Sequence, residues 1–203
     1  MANPVDDVIR QFMMPKAVAI TGRSSSITNS FINSIIPVVI PTPEEIRRAL
    51  EILDMTEQVR CAYCADPHTE WDHLRPLVIN KQPTGYISEI HNLVPSCGKC
   101  NQSKGNKHWR VWMLGSSPLS PASRGVFDLD VLALRLEQYE AWSAPTRLDF
   151  ASLAGPALWA EHWDHHRRIL GLMQEAQVVA TSIRESVRAG YLAQAPTRYS
   201  ATD

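Results

Sequence analysis

Apolar residues recur along this chain at two kinds of spacing, and the change falls near its middle. Ile27, Phe31, Ile32, Ile35 and Ile36 stand at helical spacing until Pro37 stops the pattern, behind a Ser-rich stretch at 21–30 that reads as a loop. Thr42-Pro43-Glu44-Glu45 predicts a helix start: Thr42 can cap, Pro43 suits the first turn, and Glu45 can close a capping box. Ile46, Leu50 and Leu53 give this helix one apolar face, ending near Asp54. From Glu70 to Ile79, Trp71, Leu74, Leu77, Val78 and Ile79 predict a strand. Residues 80–85 read as a turn, and Ser88 to Pro95 as a second strand or extended loop. A helix then runs from Gly98 or Lys99 to Leu114, where Gly115 and Pro118 end it.

The last third reads as helical. Leu129–Trp142 carries Leu132, Leu136 and Tyr139 on one face. A longer helix spans Leu158 to Leu192, with Ile169, Met173, Ala176, Ala180, Ile183 and Val187 forming a coiled-coil-type seam. That seam can pack within one protomer or pair two. Trp109 and Trp112 are expected to anchor their helix to these C-terminal helices. Val5–Met13 suits a short helix, and the tail after Leu192 reads as disordered. The expected organisation is an N-terminal helical segment (1–57), a central module (58–115), a Ser/Pro-rich linker (116–127), a C-terminal helical region (128–192) and a tail (193–203).

Composition adds limits. Hydrophobic residues make up 44% and charged residues 20%, ordinary for a soluble globular protein. No apolar run is long enough for a transmembrane helix, so no membrane partner is expected. The N-terminus has two early acids and no basic leader, which points to a cytoplasmic protein. The net charge of -1 argues for no particular partner. Its distribution says more: from Ile90 to Phe127 there is no acid, while Lys99, Lys104, Lys107, Arg110 and Arg124 are basic. Such a stripe fits a phosphate-facing surface, though taken alone a solvated helix face is the favoured reading.

All four cysteines lie in two Cys-x-x-Cys pairs, Cys61/Cys64 and Cys97/Cys100. In a reducing compartment paired cysteines bind metal more often than they form disulfides. Four thiolates complete a closed tetrahedral site, so the expected ion is a structural zinc with no position for substrate. The alternatives are four ordinary buried cysteines or a redox pair, the latter without the βαβ pattern it needs. The separation of the pairs exceeds the usual ribbon spacing, and an inserted hairpin accounts for the excess.

Between and after the pairs lie Trp71-Asp72-His73-Leu74 with Pro76, then Asn92-Leu93-Val94-Pro95, then Cys97-Gly98-Lys99-Cys100-Asn101 with Lys104 and Gly105. This series resembles the HNH endonuclease family, over about 50 residues of the chain. Asp-His alone carries no weight, because Trp163-Asp164-His165 repeats it with no Asn or Cys following. The resemblance implies an α+β, mostly helical protein: a central ββα-metal module with zinc knuckles, flanked by N- and C-terminal helices. It implies Asp72 and Asn101 as ligands of a catalytic divalent metal, His73 as general base, and Asn92 as a support for the backbone around the histidine. Where many relatives have His, this chain has Asn101, which shifts the expected metal towards Mg²⁺, with Mn²⁺ as the other candidate.

The chemistry stands without the resemblance. Phosphodiester hydrolysis needs an activated water and a cation beside the developing charge. A histidine has a suitable pKa for the first task, and hard oxygen ligands suit Mg²⁺ or Mn²⁺ for the second. Neighbours on a regular strand face opposite sides, so Asp72 and His73 can share a site only at an irregularity or a strand's edge. Arg75, Lys104, Lys107 and Arg110 are candidate nucleic-acid contacts. His68 and His91 compete with His73 as bases, while His108, His162, His165 and His166 read as structural or exposed. The leading expectation is a metal-dependent endonuclease acting on double-stranded DNA, in restriction or phage defence. It can act as a homodimer through the C-terminal helices or with a separate partner protein. The alternative is a non-catalytic zinc module that binds nucleic acid or protein.

Overall fold

The computed structural model describes residues 14–194. The helix expected at Val5–Met13 and the tail from 195 onward lie outside the described residues. The described residues fall into two compact units: residues 28–163, and the residues before 28 with those after 163.

The elements, in order, are α1 (Ser24–Asn33), α2 (Pro43–Ile52), β1 (Glu70–His73), β2 (Val78–Ile79), β3 (Gln82–Pro83), β4 (Leu93–Ser96), α3 (Gly98–Lys104), α4 (Trp109–Met113), α5 (Leu129–Trp142), α6 (Phe150–Ala154) and α7 (Pro156–Gln194). The protein is mostly helical α+β, with small hairpins and one helix at the four-cysteine cluster. The Ser-rich stretch expected to be a loop is instead a 3₁₀ turn at Ile20–Arg23 running into α1. Ile32 is buried on α1, in line with its helical spacing, but the helix stops at Asn33, short of Pro37, and Ile36 is buried in the turn beyond it.

Helix α2 begins as its sequence dictates. The Thr42 side chain accepts from the Glu45 amide and the Glu45 carboxylate accepts from the Thr42 amide, completing the capping box. The expected strand at 70–79 divides in two. Its first part, β1, pairs antiparallel with β4, placing Asp72 opposite Val94 and His73 opposite Leu93. Its last two residues, β2, pair with β3 in a separate hairpin. Asn80 and Lys81 turn that hairpin with φ of 52° and 62°, the left-handed pair a two-residue I′ turn requires.

The helix expected at 98–114 is also divided. Gly105 ends α3 at φ 50°, and α4 starts after a break at 105–108. A single helical face shared by Asn101, Lys104 and His108 therefore does not exist. The break lets α4 turn its tryptophans inward, where Trp109 and Trp112 are buried with Leu132, Leu136 and Tyr139 of α5. Trp112 also meets the Tyr63 ring edge-on at 5.2 Å. Tyr139 donates through its hydroxyl to the carbonyls of Ile90 and Leu93, tying α5 to the start of β4. A second small core joins Ile32, Ile36 and Ile87 to Leu77, Val78 and Trp163.

In the other unit, the Ile20 amide donates to Gln177 Oε1 at 2.7 Å. Helix α7 buries none of its residues, and Ile169, Ile183 and Val187 of the apolar seam are exposed. No helix among the described residues is long and apolar enough to cross a membrane.

Leu136 lies wholly inside the main core. Leu136→Ala is expected to cost about 2–5 kcal/mol, read as a lower denaturant midpoint with an unchanged slope. A midpoint equal to wild type would place Leu136 outside the core.

Candidate active site and metal centre

The four cysteines arrive from two short segments. Cys61 and Cys64 stand on a tight turn closed by the Ala65 amide to the Cys61 carbonyl. Cys97 caps α3 and Cys100 lies in its first turn. All four are buried, and their sulfurs lie within 4.8 Å of one another. Cys64 and Cys97 are 3.7 Å apart, close to the S···S edge of about 3.8 Å that a tetrahedron with 2.3 Å Zn–S bonds requires. Donation from Cys100 and Cys64 draws the Cys61 thiol down to about 4, and the same contacts push Cys100 up. Such crowding favours replacing shared protons by one cation. The donor set and spacing fit a structural zinc. Arg124 adds positive charge here, donating from Nη2 to Cys100 Sγ at 2.9 Å.

The knuckle reaches beyond its metal. Between its two cysteines stands Tyr63, fully buried, whose hydroxyl donates to Asp72 Oδ2 at 2.7 Å. Burial, and next the Asp72 carboxylate, hold the Tyr63 phenol well above its ordinary pKa, so it remains a donor. Asp72 is itself only 6% exposed. Its other partner is Lys104 of α3, 3.0 Å from Oδ2, which also donates to the His73 carbonyl at 2.8 Å. Burial pushes the Asp72 carboxyl up, opposed by Lys104 and Tyr63. Burial pushes the Lys104 ammonium down, opposed by Asp72. Each group thus keeps the other in its charged form.

His73, at the end of β1, meets Ser88 Oγ through Nε2 at 2.8 Å. Burial, and next the Lys104 cation, hold its imidazole down at about 4, so the ring is neutral at pH 7 and can accept a proton. Asn92 is fully buried behind it. Its Oδ1 accepts from the Arg75 amide at 2.8 Å and its Nδ2 donates to the Arg75 carbonyl at 3.1 Å. The Leu74 amide adds a bond to the Asn92 carbonyl. Asn101 donates through Nδ2 to Glu70 Oε2, which leaves its Oδ1 as the free acceptor. Asp72, His73 and Asn101 line one cleft of about 180 Å³ together with Asn29, Asn33, Gly105 and Asn106. The cleft opens where β1 ends, so two consecutive strand residues share it.

The HNH endonuclease family matches residues 61–107. Residues 61–107 are an HNH endonuclease domain. The "CRISPR-associated endonuclease Cas9" of Corynebacterium diphtheriae is 37% identical over 65 residues, covering 30% of this chain and 6% of that protein. No solved structure matches.

Around the HNH centre, the basic residues sit differently from the expectation of a free stripe. Lys104, expected at a phosphate, has no exposed surface, because its ammonium compensates Asp72. Arg110 pairs with Glu137, and Arg75 pairs with Glu140 at 3.0 Å. Lys107 is exposed and donates to the Ser103 carbonyl at 2.8 Å. Of the rival histidines, His68 meets the Val59 carbonyl and His91 packs on Trp142, and neither lines the cleft.

Tyr63, Glu70 and Ser88 were not singled out by the sequence, and Arg124 was read only as part of the basic stripe. Glu70 had a signal, since it shares a strand face with Asp72 two residues away. Tyr63 had its place inside a knuckle. For Ser88 and Arg124 the contacts depend on chain segments brought together only by folding.

Cys97→Ser is expected to abolish zinc binding and unfold the module, seen as loss of metal in elemental analysis and of the thermal transition. Normal stability in that variant would remove the structural-zinc assignment. Tyr63→Phe is expected to keep its zinc but lose about 1.5–3 kcal/mol, because a buried carboxylate loses a donor. An unchanged unfolding midpoint would mean that Tyr63 does not support Asp72.

Proposed function

We propose that this chain is a metal-dependent endonuclease that hydrolyses phosphodiester bonds of double-stranded DNA. An HNH domain implies a nucleic-acid substrate. The observation that carries the reading is the convergence of Asp72, His73 and Asn101 on one cleft. A carboxylate oxygen of Asp72 and Oδ1 of Asn101 form a hard donor set, which suits Mg²⁺ or Mn²⁺ with waters and a phosphate oxygen. When bound there, such a cation supplies positive charge to the phosphate and the leaving oxygen. His73 takes a proton from water as the water oxygen bonds to phosphorus and the bond to the leaving oxygen breaks. Asn92 holds the backbone after His73. Exposed Lys107 and the partly exposed Arg75 and Arg110 are the remaining candidates for backbone contacts, the latter two by exchanging acid partners for phosphate.

Free, closely set thiols suit a cytoplasmic protein. The exposed seam of α7 supports a homodimer able to cut both strands. The similarity to a CRISPR-associated endonuclease supports a setting in defence against foreign DNA, alone or with a separate partner protein.

Wild-type protein with Mg²⁺ or Mn²⁺ is expected to cut supercoiled plasmid, and His73→Ala to cut at least ~100-fold more slowly, the lower end for loss of a general base. Mild chelation should stop cleavage and leave the circular dichroism spectrum unchanged. Intact plasmid under both metals, with modified DNA also tried, would favour the non-catalytic zinc module.

A further inference from the structure

Ser88 lies between β3 and β4 and belongs to no regular element. Its backbone is nonetheless held on both sides. The Ser88 amide donates to the Pro37 carbonyl at 3.1 Å, and its carbonyl accepts from the Val39 amide at 2.8 Å. These bonds form a parallel bridge with Val38. The preceding residue, Ile87, is buried in the second core, and its carbonyl faces Asn92 Nδ2 at 3.5 Å. The Ser88 hydroxyl is therefore fixed in place by a segment outside residues 61–107, and it sits 2.8 Å from His73 Nε2.

A neutral imidazole carries one proton, on Nδ1 or on Nε2. If Ser88 donates to Nε2, the ring proton is on Nδ1 and neither nitrogen is free to take one from water. If Ser88 accepts from Nε2–H, Nδ1 keeps its lone pair on a ring that lines the cleft. Only the second arrangement allows a base held where the structure holds it.

We propose that Ser88 is a positioning residue for His73: its hydroxyl accepts Nε2–H, fixing the ring and the neutral tautomer that leaves Nδ1 as proton acceptor. This rests on the nuclease reading, in which His73 is the base. The segment at 37–39 thereby becomes part of the catalytic apparatus, because it sets where the hydroxyl stands.

The test combines a spectroscopic readout with kinetics. Ring ¹⁵N shifts of His73 at neutral pH report the tautomer directly. Wild type is expected to show Nε2–H, and Ser88→Ala a mixture of tautomers. On plasmid with Mg²⁺, Ser88→Ala is expected to lower kcat about 10- to 100-fold, the range for partners that orient a functional imidazole, with KM and the thermal midpoint unchanged. Ser88→Thr, which keeps the hydroxyl, is expected to restore most of the rate and the wild-type shifts. An Nδ1–H tautomer in wild type, or shifts and kcat unchanged in Ser88→Ala, would overturn the proposal. If wild type cuts nothing while the tautomer still depends on Ser88, the nuclease reading fails and the positioning contact stands.

Discussion

A carboxylate that is almost wholly buried keeps its charge only if donors surround it, and Asp72 is in that position. One donor is Tyr63, inside the first zinc knuckle, and the other is Lys104, on the helix that begins at the second. The two donors of Asp72 are thereby tied to the two cysteine knuckles. With the thiolates gathered on a cation, Tyr63 and α3 have fixed positions, and Asp72 has its donors. A structural metal and a catalytic site are usually treated as separate features of a small domain. Here they share one hydrogen-bonded path of three side chains.

The same network limits what can happen at Asp72. Lys104 already supplies one positive charge there, and it also holds the His73 carbonyl. In the nuclease reading, a divalent cation brought to Asp72 and Asn101 adds charge beside an ammonium that burial has already pushed down. Lys104 would repel such a cation, and the negative charge of a phosphate would offset that repulsion. Lys104 is thus a buried partner of Asp72, which differs from the free phosphate contact its place in a basic stripe suggests.

Much of this was legible in the sequence, for identifiable reasons. The capping box at Thr42 and the faces of α2 and α5 are local patterns, and local patterns survive folding. The zinc cluster was legible because its ligand type and spacing admit few other uses. The breaks at 74–77 and 105–108 were not. Pro76 and Gly105 were visible, but whether each ends an element or merely bends it depends on tertiary contacts. The setting of the basic stripe was not legible either, because counting charges along the chain ignores acids that return from elsewhere, such as Glu137 on α5 beside Arg110 and Asp72 on β1 beside Lys104. Ser88 carried no signal at all, since a serine in an extended stretch is ordinary until Pro37 and Val39 are seen to clamp it.

The segments outside residues 61–107 help to build the site. Within the unit at 28–163, α2, α4 and α5 close the core around Tyr63 and Trp112, Tyr139 anchors the start of β4, and Arg124 donates to a zinc thiol. Residues 37–39 fix Ser88, and Asn29 and Asn33, one helical turn apart, line the cleft itself. A domain with two short strand pairs and a seven-residue helix has little apolar surface of its own to bury. Its four-cysteine cluster fits a stabilising metal, and the flanking helices pack around it. Asp72 keeps its donors from within residues 61–107, whereas the backbone that carries the Ser88 hydroxyl to His73 is clamped from outside them, at Pro37 and Val39.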